Sequence, residues 1–129
     1  MRFAFLLVCC IWCHIIDDYV LQGCLASMKQ KSWWAEKVND LDSTMYKHDY
    51  LIALAMHAMS WSFSIMVPII IAKPFCFSFY VVAFCVNSLV HGLVDHAKAN
   101  MKLISLVTDQ MIHLIQITLT LLLWMKLAI

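Results

Sequence analysis

Apolar residues run along this chain in four long blocks, and one polar stretch parts the first block from the other three. The blocks cover about residues 3–24, 50–72, 75–97 and 103–127. A helix needs about 20 mostly apolar residues to cross the hydrocarbon core of a bilayer, and each block reaches that length. The expected fold is therefore all-α: a four-helix transmembrane bundle, with residues 1–129 as a single membrane domain and one polar interfacial loop over about 26–47. Lys73 and Pro74 separate the second block from the third, and Lys98 to Lys102 separate the third from the fourth. Links this short predict antiparallel neighbouring helices. Pro68 is expected to bend or end the second helix.

Composition strengthens the membrane reading. Of the residues 64% are hydrophobic and only 13% are charged, and the mean hydropathy is +0.82. Soluble domains carry about 25% charged residues. A net charge of +1 gives no reason to invoke nucleic acid as a partner. The partner these features point to is membrane lipid, with a lipid-linked substrate in view and association into oligomers left open.

The long loop carries Lys29, Lys31, Lys37 and Lys47, the acidic residues Glu36, Asp40 and Asp42, and the Trp33–Trp34 pair. Paired tryptophans beside basic residues suit a segment at headgroup depth, and a solvated loop is the alternative. Basic residues also set orientation. Lys29, Lys31, Lys37, Lys47, Lys98 and Lys102 flank the first and third connections, against Arg2, Lys73 and Lys126 on the other side. Excess lysine and arginine mark the cytoplasmic side, so the long loop is expected there, with both termini outside. The localisation implied by these features is a multi-pass position in a membrane.

The first block begins Met1-Arg2 and resembles a secretory signal. Asp17 and Asp18 interrupt it where a cleavable signal is uncharged, so it reads as a retained helix. The six cysteines lack zinc-finger spacing and read as small packing residues. Cys9, Cys10 and Cys13 adjoin the histidine discussed next, but thiolate ligands are not expected.

Ionisable residues inside the apolar blocks change the picture most. His14 and Asp18, His91 and Asp95, and Asp109 and His113 are each four residues apart, and His57 stands alone in the second block. A spacing of four puts both side chains on one helix face. A charged group at bilayer depth costs about 2.5–3.5 kcal/mol on insertion scales, so these seven need a joint explanation. All lie toward the membrane face that carries the long loop, within about 15 Å of it at 1.5 Å per residue. A shared metal site accounts for them. Further polar residues extend each stripe: Gln22 on the first helix, Ser60 and Ser64 on the second, Asn87, Ser88 and Lys98 on the third, Ser105, Gln116 and Thr120 on the fourth. Such stripes should face the bundle interior.

The candidate metal ligands are His14, Asp18, His57, His91, Asp95, Asp109 and His113. They exceed the needs of one catalytic zinc, which takes about three protein ligands plus water. Two ions about 3.5–4 Å apart can share a bridging carboxylate, and some aspartates can instead orient histidines. One or two divalent ions are expected; zinc is favoured, with manganese or iron also suited to imidazole and carboxylate. Asp17, about 100° from Asp18 around a regular helix, reads as a partner for a lysine. His48, Asp49 and His96 read as interfacial, and the methionines and most aromatics as lipid-facing or packing residues.

In order along the chain, His14 with Asp17, Asp18 and Gln22, then His57, then His91 with Asp95 and Lys98, then Asp109 with Gln110 and His113 resemble the motifs of a bacterial and phage membrane family, domain of unknown function 3307. The likeness covers nearly the whole chain, and the family's label supplies no reaction. A looser likeness links the histidine and aspartate placement to inner-membrane metal-dependent hydrolases. The HxxxD step also resembles one in zinc-dependent phospholipases C.

The reading that follows is a membrane metalloprotein that hydrolyses a phosphoester or related bond in a lipid-linked substrate near the cytoplasmic headgroups. Asp95, Lys98 and Gln22 are its catalytic candidates. Lys98 would neutralise an anionic headgroup, with snorkelling to the interface as the alternative, and Gln22 and Gln110 would orient water or substrate. Two rivals remain: a small membrane effector with a structural metal, and a proton or metal transporter, since chains of aspartate and histidine also mark transport pathways.

Overall fold

The computed structural model describes residues 2–37, 44–73 and 77–128. The described chain is all-helical. The first span is α1, Arg2–Ile16, which continues through a π turn at Asp17–Leu21. Two short helices follow, α2 at Leu25–Met28 and α3 at Lys31–Lys37. The remaining spans are α4, Asp49–Ala72, α5, Phe77–Ala99, and α6, Leu106–Ala128. Four helices are thus long and apolar enough to cross a membrane. At 1.5 Å per residue, a span of 23 residues is about 34 Å long.

Several boundaries move. The first span stops at Leu21, not near residue 24, because Gly23 takes a left-handed backbone (φ 51) and turns the chain into α2. The fourth begins at Leu106 rather than 103, because Lys102 is also left-handed (φ 54) and Leu103 N–H bonds back to Ala97 O at 2.9 Å. Pro68 does not end α4, which runs on to Ala72. The expected polar loop contains α2 and α3; Trp34 Nε1 donates to Met28 O at 2.7 Å and its ring stacks on Tyr46. Asp40, Asp42, Pro74 and the start of the third span at residue 75 lie outside the described residues.

α4 packs against α1 and α5, and α6 against α5 and α1, so the four long helices close a ring. Gly92 faces Ala58 at the α4–α5 contact, where a Cβ would sit 3.5 Å from Ala58 Cβ, an ordinary packing distance. Inside and outside are inverted relative to a water-soluble protein. Phe5, Val8, Trp12, Ile71, Phe77 and Val107 face outward, while His57, His91, Asp95, Asp109 and His113 are buried. The core divides along the bundle axis. One half is apolar and built on Leu6, Ile65, Ile69, Ile117, Leu121 and Trp124. The half nearer α2 and α3 holds the polar groups.

Between the halves lies a polar tie of α5 to α6. Gln116 Nε2 donates to Asn87 Oδ1 and Asn87 O, both at 2.9 Å, and Thr120 Oγ1 donates to Asn87 Oδ1 at 3.1 Å. These residues glue two helices, and their polar stripe faces inward as expected. Ser105 does not. It precedes α6, is exposed, and accepts from Thr108 N–H at 3.2 Å.

Candidate metal centre

Each long helix brings side chains to one place. α4 contributes His57 and α5 contributes His91, whose Nε2 atoms are 3.1 Å apart. Asp18 Oδ1, from the π turn, lies 3.2 Å from His57 Nε2 and 3.9 Å from His91 Nε2. Asp95 Oδ2 lies 3.4 Å and 3.8 Å from the same two nitrogens. A tetrahedral ion with ligand bonds of about 2.0–2.1 Å holds its ligand atoms about 3.3–3.4 Å apart. The observed separations bracket that edge length. Asp18, His57 and His91 form a group able to hold a metal ion, and Asp95 Oδ2 completes four donors.

A second group comprises His91, Asp95 and His113. His113 Nε2 is 3.4 Å from Asp109 Oδ1 and 3.9 Å from Asp95 Oδ1. These three atoms are all buried without a hydrogen-bond partner, and so is Asp18 Oδ1. Buried polar atoms are normally satisfied, because an unmet one costs about 1–3 kcal/mol. A cation would satisfy all four. His91 is common to both groups, and Asp95 turns Oδ2 toward His57 and Oδ1 toward His113. Asp109 sits in the first turn of α6, because the helix starts at Leu106.

His14 is brought to the cluster but belongs to neither group. Trp61 Nε1–H donates to its Nδ1 at 2.7 Å. Indole nitrogen only donates, so Nε2 carries the ring proton and donates to Gln110 Oε1 at 3.0 Å. Both nitrogens are committed, and His14 holds its neighbours in place. Of the seven expected ligands, Asp18, His57, His91, Asp95 and His113 fall in the two groups, Asp109 lies beside His113, and His14 stands behind them.

Three residues carry more than their sequence reading gave them. Asp17, expected beside a lysine, meets two serines and a histidine. It is buried, and Oδ1 accepts from Ser60 Oγ at 2.7 Å and Ser64 Oγ at 3.0 Å. Its Oδ2 stands 3.8 Å from His57 Nδ1, on the ring edge away from the cluster. The π turn, closed by Gln22 N–H to Asp17 O at 3.0 Å, adds a residue to the turn and lets two consecutive carboxylates lie inside. No sequence pattern announces that turn.

Trp61, taken for packing, is the floor of the site. Its ring stacks on His91 (4.2 Å, 20°), and His113 stacks on the same imidazole (4.2 Å, 28°). Its place one turn beyond His57 was the available clue.

Lys29 looked like an orientation signal, yet it is buried and donates to Asp95 Oδ2 at 2.5 Å. α2 delivers it because Asn100, at the end of α5, clamps the α2–α3 junction. Asn100 Nδ2 donates to Lys29 O at 3.0 Å, and its Oδ1 accepts from Lys31 N–H at 2.7 Å.

Lys98 also turns inward rather than snorkelling. Its Nζ donates to Asp109 Oδ2 at 2.6 Å and lies 3.5 Å from Asp95 Oδ1. Gln110 Nε2 donates to Asp109 Oδ2 at 3.0 Å and Asp18 Oδ2 at 3.3 Å, joining α6 to the π turn. Gln22 Nε2 donates to Asp18 O at 2.9 Å and lies 3.5 Å from His57 Nε2. His96 stacks on Tyr50, and His48 is exposed; neither enters the cluster. Among the described residues, no cysteine belongs to a potential metal group.

No family model matches this chain, and no curated protein or solved structure does either. What the site can do therefore rests on its own chemistry. Formal charges are informative here. The carboxylates of Asp17, Asp18, Asp95 and Asp109 outnumber the ammoniums of Lys29 and Lys98 by two. A buried cluster with two excess negative charges is the electrostatic complement of one divalent cation. Imidazole with carboxylate suits zinc, manganese or iron.

A cavity of about 400 Å³ opens over this centre, lined by Asp18, Gln22, Lys29, Lys98, Lys102 and Gln110 among others. It is the approach to the cluster from the side of α2.

Proposed function

We propose that this chain is a membrane-embedded, metal-dependent hydrolase that acts on a phosphoester or other lipid-linked substrate near the headgroups, with α2 and α3 on the cytoplasmic side. One observation carries the reading: two candidate ligand groups, Asp18 with His57 and His91 and His91 with Asp95 and His113, share His91 and hold buried, unpartnered atoms of Asp18, Asp95 and His113 beneath a lysine-lined cavity. Embedding is supported by the four apolar spans and by the apolar exterior around a charged interior. The motif order that resembles domain of unknown function 3307 supports the bacterial or phage setting and leaves the reaction open.

His57, His91, Asp18 and Asp95 would hold one ion, and His113, Asp109 and Asp95 a second; zinc is favoured, manganese or iron alternative. Such an ion supplies Lewis acidity and acidifies water. The chain's own groups do the rest. Asp17 fixes the His57 ring from behind, Trp61 fixes His14 and His91, and Gln110 sets the spacing of Asp18 and Asp109. Lys98 and Gln22 reach both the cluster and the cavity, where they would hold the anionic group of a substrate and orient water. Exclusion of bulk water strengthens these interactions.

Transport is the rival that a specific observation disfavours. The polar groups end at Asn87, Gln116 and Thr120, and the half of the bundle beyond them is closed by Ile65, Ile69, Leu121 and Trp124. A small membrane effector with a structural metal is the remaining alternative.

The test compares metal-loaded wild type with Asp95→Asn and Lys98→Ala on mixed phospholipids and polyprenyl phosphates, with products read by mass spectrometry. Asp95→Asn should abolish turnover while the helices stay assembled, because the amide keeps the side-chain size. Lys98→Ala should weaken substrate capture more than metal content. If wild type forms nothing that Asp95→Asn fails to form, the effector reading replaces the hydrolase.

A further inference from the structure

The cavity over the cluster has a cationic wall that is already half committed. Lys29 Nζ touches Asp95 Oδ2, the same oxygen that stands 3.4 Å from His57 Nε2 in the first ligand group. Lys98 Nζ touches Asp109 Oδ2, on the carboxylate whose other oxygen faces His113. Each ammonium therefore sits where an incoming cation's ligand must be given up or shared. Like charges at such distances repel strongly in a poorly solvated interior. An ion bound there would compete with both ammoniums for these carboxylates, and the open space beside them is the cavity they already line. Lys102, held left-handed at the α5–α6 turn, lines the same space, with Gln22 and Gln110 beside it.

We propose that metal loading assembles an anion site in this cavity, in which Lys29, Lys98 and Lys102 bind the terminal phosphate of a phosphomonoester. This rests on the metal-centre reading and narrows the substrate class. The charges favour a monoester over a diester. Two divalent ions together would turn the cluster's two excess negative charges into two excess positive ones. A phosphomonoester carries about −1.5 to −2 at pH 7 and balances them; a diester carries a single charge. Metal and phosphate then bind with positive coupling, each raising the affinity of the other.

The experiment uses the purified full chain in detergent, metal-free and zinc-loaded, titrated with inorganic phosphate, with phosphatidate in mixed micelles and with dimethyl phosphate. Zinc loading should tighten phosphate or phosphatidate binding by at least about tenfold, and dimethyl phosphate should not respond. The tighter of the two anions names the source as soluble or lipid. Lys29→Gln and Lys102→Gln should each weaken anion binding while zinc stoichiometry stays at the wild-type value, and Lys29→Arg should keep the binding. Equal anion affinity with and without zinc overturns the proposal, as does loss of zinc from Lys29→Gln or a response to dimethyl phosphate equal to that of phosphate. Metal-dependent phosphate binding without lipid turnover upholds this site and removes the hydrolase reading. Turnover without such binding overturns the site alone.

Discussion

His57 and His91 meet across the α4–α5 contact with their Nε2 atoms 3.1 Å apart, each also within 4 Å of Asp18 Oδ1 and Asp95 Oδ2. Two imidazoles and two carboxylates in this arrangement match the donor set a four-coordinate ion takes. Elemental analysis of protein purified without chelator should find one or two transition-metal ions per chain. His57→Ala and His91→Ala should each lower that content, and Asp95→Asn should lower it most, since Asp95 faces both groups. His48→Ala should leave it unchanged. Metal-free wild type that is nonetheless active would remove the site.

Trp61 supports the imidazoles by two separable means, a hydrogen bond to His14 and a stack on His91. Trp61→Phe keeps much of the stack and leaves His14 Nδ1 without its donor, at about 1–3 kcal/mol. Trp61→Ala loses both, at about 3–5 kcal/mol for a buried aromatic. Thermal unfolding in detergent should rank wild type above Trp61→Phe above Trp61→Ala. A Trp61→Phe protein as stable as wild type would contradict the hydrogen-bonded role.

Asp17 Oδ2 lies 3.8 Å from His57 Nδ1, across the ring from the nitrogen that faces Asp18 and Asp95. Outer partners of metal-ligating histidines contribute about 10–100-fold in affinity. Asp17→Asn should therefore weaken zinc binding by that order, in competition with a chromophoric chelator, without changing the number of ions held at saturation. A lost ion would make Asp17 a ligand itself.

The topology proposal places α2 and α3 in the cytoplasm and the end of α6 outside. Impermeant maleimide applied from each side to single cysteines introduced at Glu36 and Lys126 should label Lys126→Cys from outside only. Labelling of Glu36→Cys from outside would reverse the bundle and carry the site to the outer leaflet.

Much of the bundle is written in the local pattern. Long apolar blocks cannot leave their backbone groups unpaired in a nonpolar surrounding and so form helices. A spacing of four residues then fixes that His91 shares a face with Asp95, and Asp109 with His113, whatever surrounds them. Hence the helices and the inward turn of the seven expected ligands were legible from composition and spacing. The π turn was not, because it depends on contacts between Asp17 and Ser60 on another helix.

What only the tertiary structure decided is which lone pairs converge. Helix rotation, helix spacing and side-chain rotamers are set by packing across the bundle, and none of them leaves a mark at one position of the chain. Those contacts gave His14 to Trp61 and Gln110, set Asp95 between His57 and His113, and brought Lys29 to a carboxylate 66 residues away. The sequence by itself determined the helices and which residues share a face, since both depend on neighbours within one turn. The division of those residues into ligands, props and a cationic wall belongs to the fold, because it depends on distances between helices.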